Sequence, residues 1–108
     1  MAIEEVEKAF AAIIQNRLDA KFHGELVFEP IRVEADLDLD GDLYLHSYIV
    51  FDGDREKLDP SWTATLPRFL WPHAEKLGYP GFPIQSFVSK SEWPSLEKKI
   101  ACGPRILF

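Results

Sequence analysis

The chain has 108 residues, 46% of them hydrophobic, and a formal net charge of −6. That much apolar material builds one core and excludes a disordered chain, so residues 1–108 read as a single domain with no room for a second. The acidic balance argues against nucleic acid as a partner, because phosphate binding favours Lys and Arg. The charge is uneven, with 6 basic and 15 acidic side chains in residues 1–59 against 6 and 3 in residues 60–108, so the second half could still offer a local basic face.

Residues 2–21 carry Ile3, Val6, Phe10, Ile13, Ile14 and Leu18 at helical spacing, which predicts an amphipathic helix. Glu4, Glu5 and Glu7 suit its positive N-terminal end. Gly24 is its natural stop. Residues 25–39 predict a strand interrupted at Pro30, which lacks the donor a ladder needs. Beyond that point Ile31, Val33, Ala35, Leu37 and Leu39 alternate with charged residues, the period of a half-buried strand. Residues 43–51 repeat the alternation, and Asp40-Gly41-Asp42 between the two runs predicts a hairpin.

Asp52-Gly53-Asp54 marks a second turn. Asp59 followed by Pro60 has the form of a helix N-cap and first helical residue. A helix is expected to run to about Leu77, burying Trp62, Leu66, Phe69, Leu70, Ala74 and Leu77, with Pro67 and Pro72 kinking it or dividing it in two. Ile84 to Val88 predicts a short buried strand, and residues 91–101 a short helix. The fold class is therefore α+β: a small, mainly antiparallel sheet with helices packed on one face, in the order α-β-β-α-β-α.

The single Cys102 has no internal disulfide partner, which fits a reducing compartment. The first ten residues are acidic where a secretory signal is basic, and no stretch approaches the roughly 18 apolar residues of a membrane span. The expectation is a cytoplasmic protein with no membrane segment.

The most unusual stretch is Asp36-Leu37-Asp38-Leu39-Asp40-Gly41-Asp42. Oxygen ligands at positions 1, 3 and 5 followed by glycine at 6 open a calcium loop, and Asp36, Asp38, Asp40 and Asp42 are its candidate ligands for Ca²⁺ or Mg²⁺. The pattern fails at position 12, where Ser47 stands in place of a bidentate Glu, and its flanks read as strands rather than helices. An acidic strand surface running into an Asp-Gly turn accounts for the same residues.

Pairing Leu39 with Leu43 across a three-residue turn keeps the apolar residues of the two strands together. The opposite face then sets Asp38 across from Tyr44, Asp36 across from His46 and Glu34 across from Tyr48. Carboxylates, an imidazole and phenols on one face could hold a divalent ion or move protons, or simply form favourable cross-strand pairs at a solvated surface.

Other signals are weaker. Gly78-Tyr79-Pro80-Gly81 has the outline of a nucleic-acid-binding GxxG loop but lacks its basic residues and second helix. His23 and His73 stand apart from other ligands, and Cys102 has no neighbouring His or basic residue to activate it. Trp62 and Trp71 are nine residues apart on the expected helix, so one of them should be partly exposed. The apolar tail Arg105-Ile106-Leu107-Phe108 could dock as a last strand or add to a partner surface.

With no complete catalytic motif, the sequence points to a small accessory module that binds another protein, antitoxin-like or adaptor-like, or itself as a homodimer. Its expected binding residues are Glu34, Tyr44, His46, Tyr48, Trp62 and Trp71, beside the acidic hairpin. No cofactor is expected beyond a possible Mg²⁺ or Ca²⁺. The alternative is a divalent-metal-dependent hydrolase or transferase using Asp36, Asp38 and His46.

Overall fold

Helix α1, Ile3–Phe22, carries Val6, Phe10, Ile14, Leu18 and Phe22 at four-residue intervals, and all five are buried. Spaced in this way they form one stripe, which needs a second layer to cover it. The computed structural model describes residues 3–102 and the side chains of residues 4–99. The chain leaves α1 through His23 (φ 48°) and Gly24 (φ 85°) and enters a three-stranded sheet: β1 (Val27–Leu37), β2 (Leu43–Asp52) and β3 (Ile84–Ser89). The fold is α+β, in close to the expected order.

The strand order is β1-β2-β3, with β2 in the centre. β1 and β2 are antiparallel, whereas β2 and β3 are parallel. The sheet is therefore mixed, and the expectation of a mainly antiparallel one is corrected at β3. Helical connections between β2 and β3 return the chain to the side from which it left, as a parallel pair requires. Among the described residues β3 is also an edge strand in which Val88 alone is buried, not the buried strand its apolar run predicted.

The β1–β2 register breaks between Phe28 and Ile31, around Pro30, where the missing N–H is lost to a bulge rather than to the ladder. Beyond the break Leu37 faces Leu43, Ala35 faces Leu45 and Glu34 faces His46. This is two residues away from the expected Leu39–Leu43 register, and an even slip leaves every side chain on its original face. The extra length goes into the loop 38–42, which Asp38 organises. Its Oδ1 accepts from the backbone N–H of Asp40 and of Asp42, both at 2.9 Å, and Asp38 N donates to Asp42 O. Gly41 turns the chain at φ 85°, a conformation that favours glycine.

Between β2 and β3 lie a short 3-10 turn at Arg55–Lys57 and two helices, α2 (Pro60–Thr63) and α3 (Leu66–Lys76). Asp59 caps α2 as expected, its Oδ1 accepting from Ser61 N and Trp62 N at 3.1 and 3.3 Å. The expected division of the 60–77 helix falls at Ala64 and Thr65, which puts Pro67 in the first turn of α3, where a missing donor is harmless. Leu66, Leu70 and Ala74 of α3 join the α1 stripe, Phe28 and Val33 of β1, and Leu45, Ile49 and Phe51 of β2 in one core. Burying each large apolar side chain there contributes about 1.5–3 kcal/mol.

The last helix, α4 (Trp93–Cys102), lies on the opposite face of the sheet. Trp93 and Leu96 pack on Val50, Val88 and Tyr48, which stand at alternate positions to the main core. This corrects the expectation of helices on one face only. It explains why Val50, placed on the polar side by the alternation, is completely buried. The side chain of Cys102 and the whole of the Arg105–Phe108 tail lie outside the described residues.

Candidate functional site

Two regions gather the residues singled out by the sequence: the tip of the β1–β2 hairpin and the sheet face away from α1. At the tip, Leu37 is 60% exposed, Leu39 fully so and Leu43 43%. The alternation assigned these leucines to the core side; Leu37 and Leu43 pair across the ladder on that side, whereas Leu39 lies in the 38–42 loop. Exposure begins just beyond Leu45, which is fully buried, and rises through Leu43 and Leu37 towards the loop. Asp36, Asp38, Asp40 and Asp42 alternate with them in sequence, so an apolar tip stands among carboxylates.

The 79–83 loop borders this tip. Gly81 N donates to Leu43 O at 2.8 Å, and Trp71 Nε1 donates to Pro80 O at 2.9 Å. Trp71, 38% exposed, meets the exposed Phe82 edge to face with centroids 4.8 Å apart. Trp62 is the less exposed of the two tryptophans, packed edge to face on Phe22 at 5.4 Å and partly buried against the core. The expectation that one tryptophan is exposed therefore holds for Trp71. Trp62 is held inside the fold and takes no part in the tip. Gly81 is itself buried against β2.

On the opposite face, alternate residues of all three strands form cross-strand rows. Glu34 of β1 faces His46 of β2, which faces Ile84 of β3; Arg32 faces Tyr48, which faces Ser86. Asp36 faces Tyr44. The Arg32 guanidinium donates through Nε to Glu34 Oε2 at 2.8 Å, and the Glu34 side chain is only 12% exposed. His46 stacks on Tyr48 with centroids 4.2 Å apart and planes 19° from parallel. His46 Nε2 lies 2.8 Å from Ser86 Oγ. Tyr48 in turn meets Trp93 of α4 at 6.2 Å.

The structure thus brings Glu34, Asp36, Tyr44, His46 and Tyr48 onto one face, as expected, with different partners. Asp38 is not among them, because its carboxylate is turned into its own loop. The Asp36–Asp38–His46 trio therefore does not form one cluster. Among the described residues, no group of three or more His, Cys, Asp or Glu side chains could hold a metal ion.

Arg32 and Ser86 were missed by the sequence reading. Arg32 could have been found from its place on the strand beside Glu34. Ser86 could not, because only the parallel β2–β3 ladder, closed across forty residues, brings it to His46.

Comparisons of the chain with protein-family models, curated proteins and solved structures gave no match. No helix among the described residues is long and apolar enough to cross a membrane.

Proposed function

We propose that this domain is a protein-binding module, antitoxin-like or adaptor-like, whose hairpin tip docks on a basic surface of another protein. The observation that carries this reading is the exposure of Leu37, Leu39 and Leu43 beside the exposed Asp40 and Asp42. An apolar centre within a charged rim is the anatomy of a protein interface. Carboxylates around it steer a partner of opposite charge and repel one of like charge. The same argument disfavours a two-fold pairing of tips between copies of this chain, which would bring two sets of these aspartates together. A heterologous, basic partner is the occupant this surface fits. Trp71 and Phe82 extend the apolar area along the neighbouring loop.

The test starts by capturing partners from the native cell with the wild-type domain and with Leu39→Asp, then measures the affinity of each purified partner. Leu39 makes no core contact, so the variant should melt with the wild type. Its affinity for the partner should fall at least tenfold, a loss of about 1.4 kcal/mol. Wild-type association should also slow as salt rises from 50 to 500 mM. A partner that binds Leu39→Asp as tightly as the wild type, or with no salt dependence, would remove this reading.

A further inference from the structure

A carboxylate, an imidazole and a hydroxyl occupy three adjacent strands on one face of the sheet, each contributed by a different strand. Glu34 on β1 lies directly across from His46 on β2, and His46 Nε2 reaches Ser86 Oγ on β3 at 2.8 Å. The imidazole is fixed from one further direction: its ring stacks on Tyr48, which itself packs on Trp93. Glu34 is held almost out of solvent by Arg32. His46 and Ser86 are themselves half-buried, so a substrate can still reach them.

We propose that Ser86 is a nucleophile for acyl transfer from an ester, with His46 as its base and Glu34 as the positioning carboxylate. A serine hydroxyl is a weak nucleophile until a base within hydrogen-bonding distance takes its proton, and that base works best when a third group orients it. In the reaction Ser86 Oγ forms a bond to the ester carbonyl carbon, and its proton passes to His46 Nε2. The carbonyl bond to the leaving alcohol oxygen breaks, and that oxygen takes the proton from His46. Water then hydrolyses the acyl-serine by the same relay in reverse.

Tyr48, across from Ser86 on the adjacent strand, offers a phenol donor for charge developing on the carbonyl oxygen, while the Arg32 guanidinium stays on Glu34. Ile84, directly across from His46 and 45% exposed, offers an apolar contact to the acyl chain. This inference uses the face away from α1 and does not depend on the docking reading of the tip.

A fluorophosphonate probe tests it on the intact domain, because an activated serine attacks its phosphorus far faster than an ordinary hydroxyl does and releases fluoride. Mass spectrometry should find the wild type labelled once, at Ser86. Ser86→Ala should lose the label while keeping the wild-type melting curve. His46→Gln should slow labelling at least a hundredfold, the usual worth of a general base. The wild-type labelling rate should rise with pH through the range in which an imidazole loses its proton, between about pH 5 and 8; this holds as a readout even where the His46 variant fails to fold. No label on the wild type above that on Ser86→Ala, or a rate that only follows hydroxide concentration, overturns the proposal.

Discussion

Phe10→Ala is expected to destabilise the domain by about 3–5 kcal/mol, as deletion of a buried aromatic ring does. Phe10 has no exposed surface and sits mid-stripe on α1, in the one cluster that joins α1 to β1, β2 and α3. Its neighbours on the stripe, Val6 and Ile14, are held a turn away on the same rigid helix, so they cannot collapse into the space it leaves. A domain of this size has a total stability of about 5–15 kcal/mol, so the variant should be marginal or unfolded near body temperature. Urea unfolding followed by circular dichroism measures the loss. The exposed Ala12, two residues along the helix, is the control, and Ala12→Ser should shift stability by less than about 0.5 kcal/mol. A loss at Phe10 as small as at Ala12 would mean that α1 is not packed on the sheet as described.

Gly81→Ala should also be costly, for a different reason. No positive φ is involved; the difficulty is space. A methyl group there would lie 2.7 Å from Tyr44 Cβ and 2.9 Å from Leu43 O. Both atoms belong to the start of the central strand and cannot swing aside as a side-chain end could. The loop must lift, which threatens the Gly81 N–Leu43 O hydrogen bond and the Trp71 contact with Pro80. The expected cost is about 1–3 kcal/mol, or a melting point lower by roughly 4–8 °C per kcal/mol. A Gly81→Ala protein as stable as the wild type would show that this loop stands off from the hairpin in solution.

Much of the fold was legible because its signals are local. The four-residue spacing from Val6 to Phe22 and the capping pair Asp59-Pro60 each act within a turn or two of chain, and each forms the element it predicts. The break at Pro30 and the division of the 60–77 helix follow equally from what proline cannot donate. What was not legible depends on closure across the chain. Ile84–Ser89 reads the same whether it pairs parallel or antiparallel, and nothing within residues 93–102 says which face of the sheet they cover. The faces of the hairpin were read correctly while its register was not. Periodicity is blind to a slip of two, and the loop is set by hydrogen bonds from Asp38 that the alternation could not count. That slip matters to the candidate sites, since it moves Glu34 opposite His46 and leaves Leu39 in solvent.

The parallel pairing of β2 with β3 also governs the order in which the molecule assembles. The first pair of the β1–β2 hairpin, Leu37–Leu43, is 6 residues apart in the chain, whereas every β2–β3 pair, from His46–Ile84 to Phe51–Ser89, is 38 apart. By the logarithmic closure law the longer loop loses about 1.6 kcal/mol more chain entropy before any of its contacts form. The hairpin should therefore be largely built in the folding transition state and β3 should join late, so that Val88→Ala speeds unfolding while Leu45→Ala slows folding. Stopped-flow chevrons of the two variants measure this, and a folding rate lowered equally by both would reject it. On this pathway the imidazole of His46 waits on a preformed strand, and the hydroxyl of Ser86 reaches it only as the last strand docks. Chemistry on that face would then begin only once the whole domain has folded.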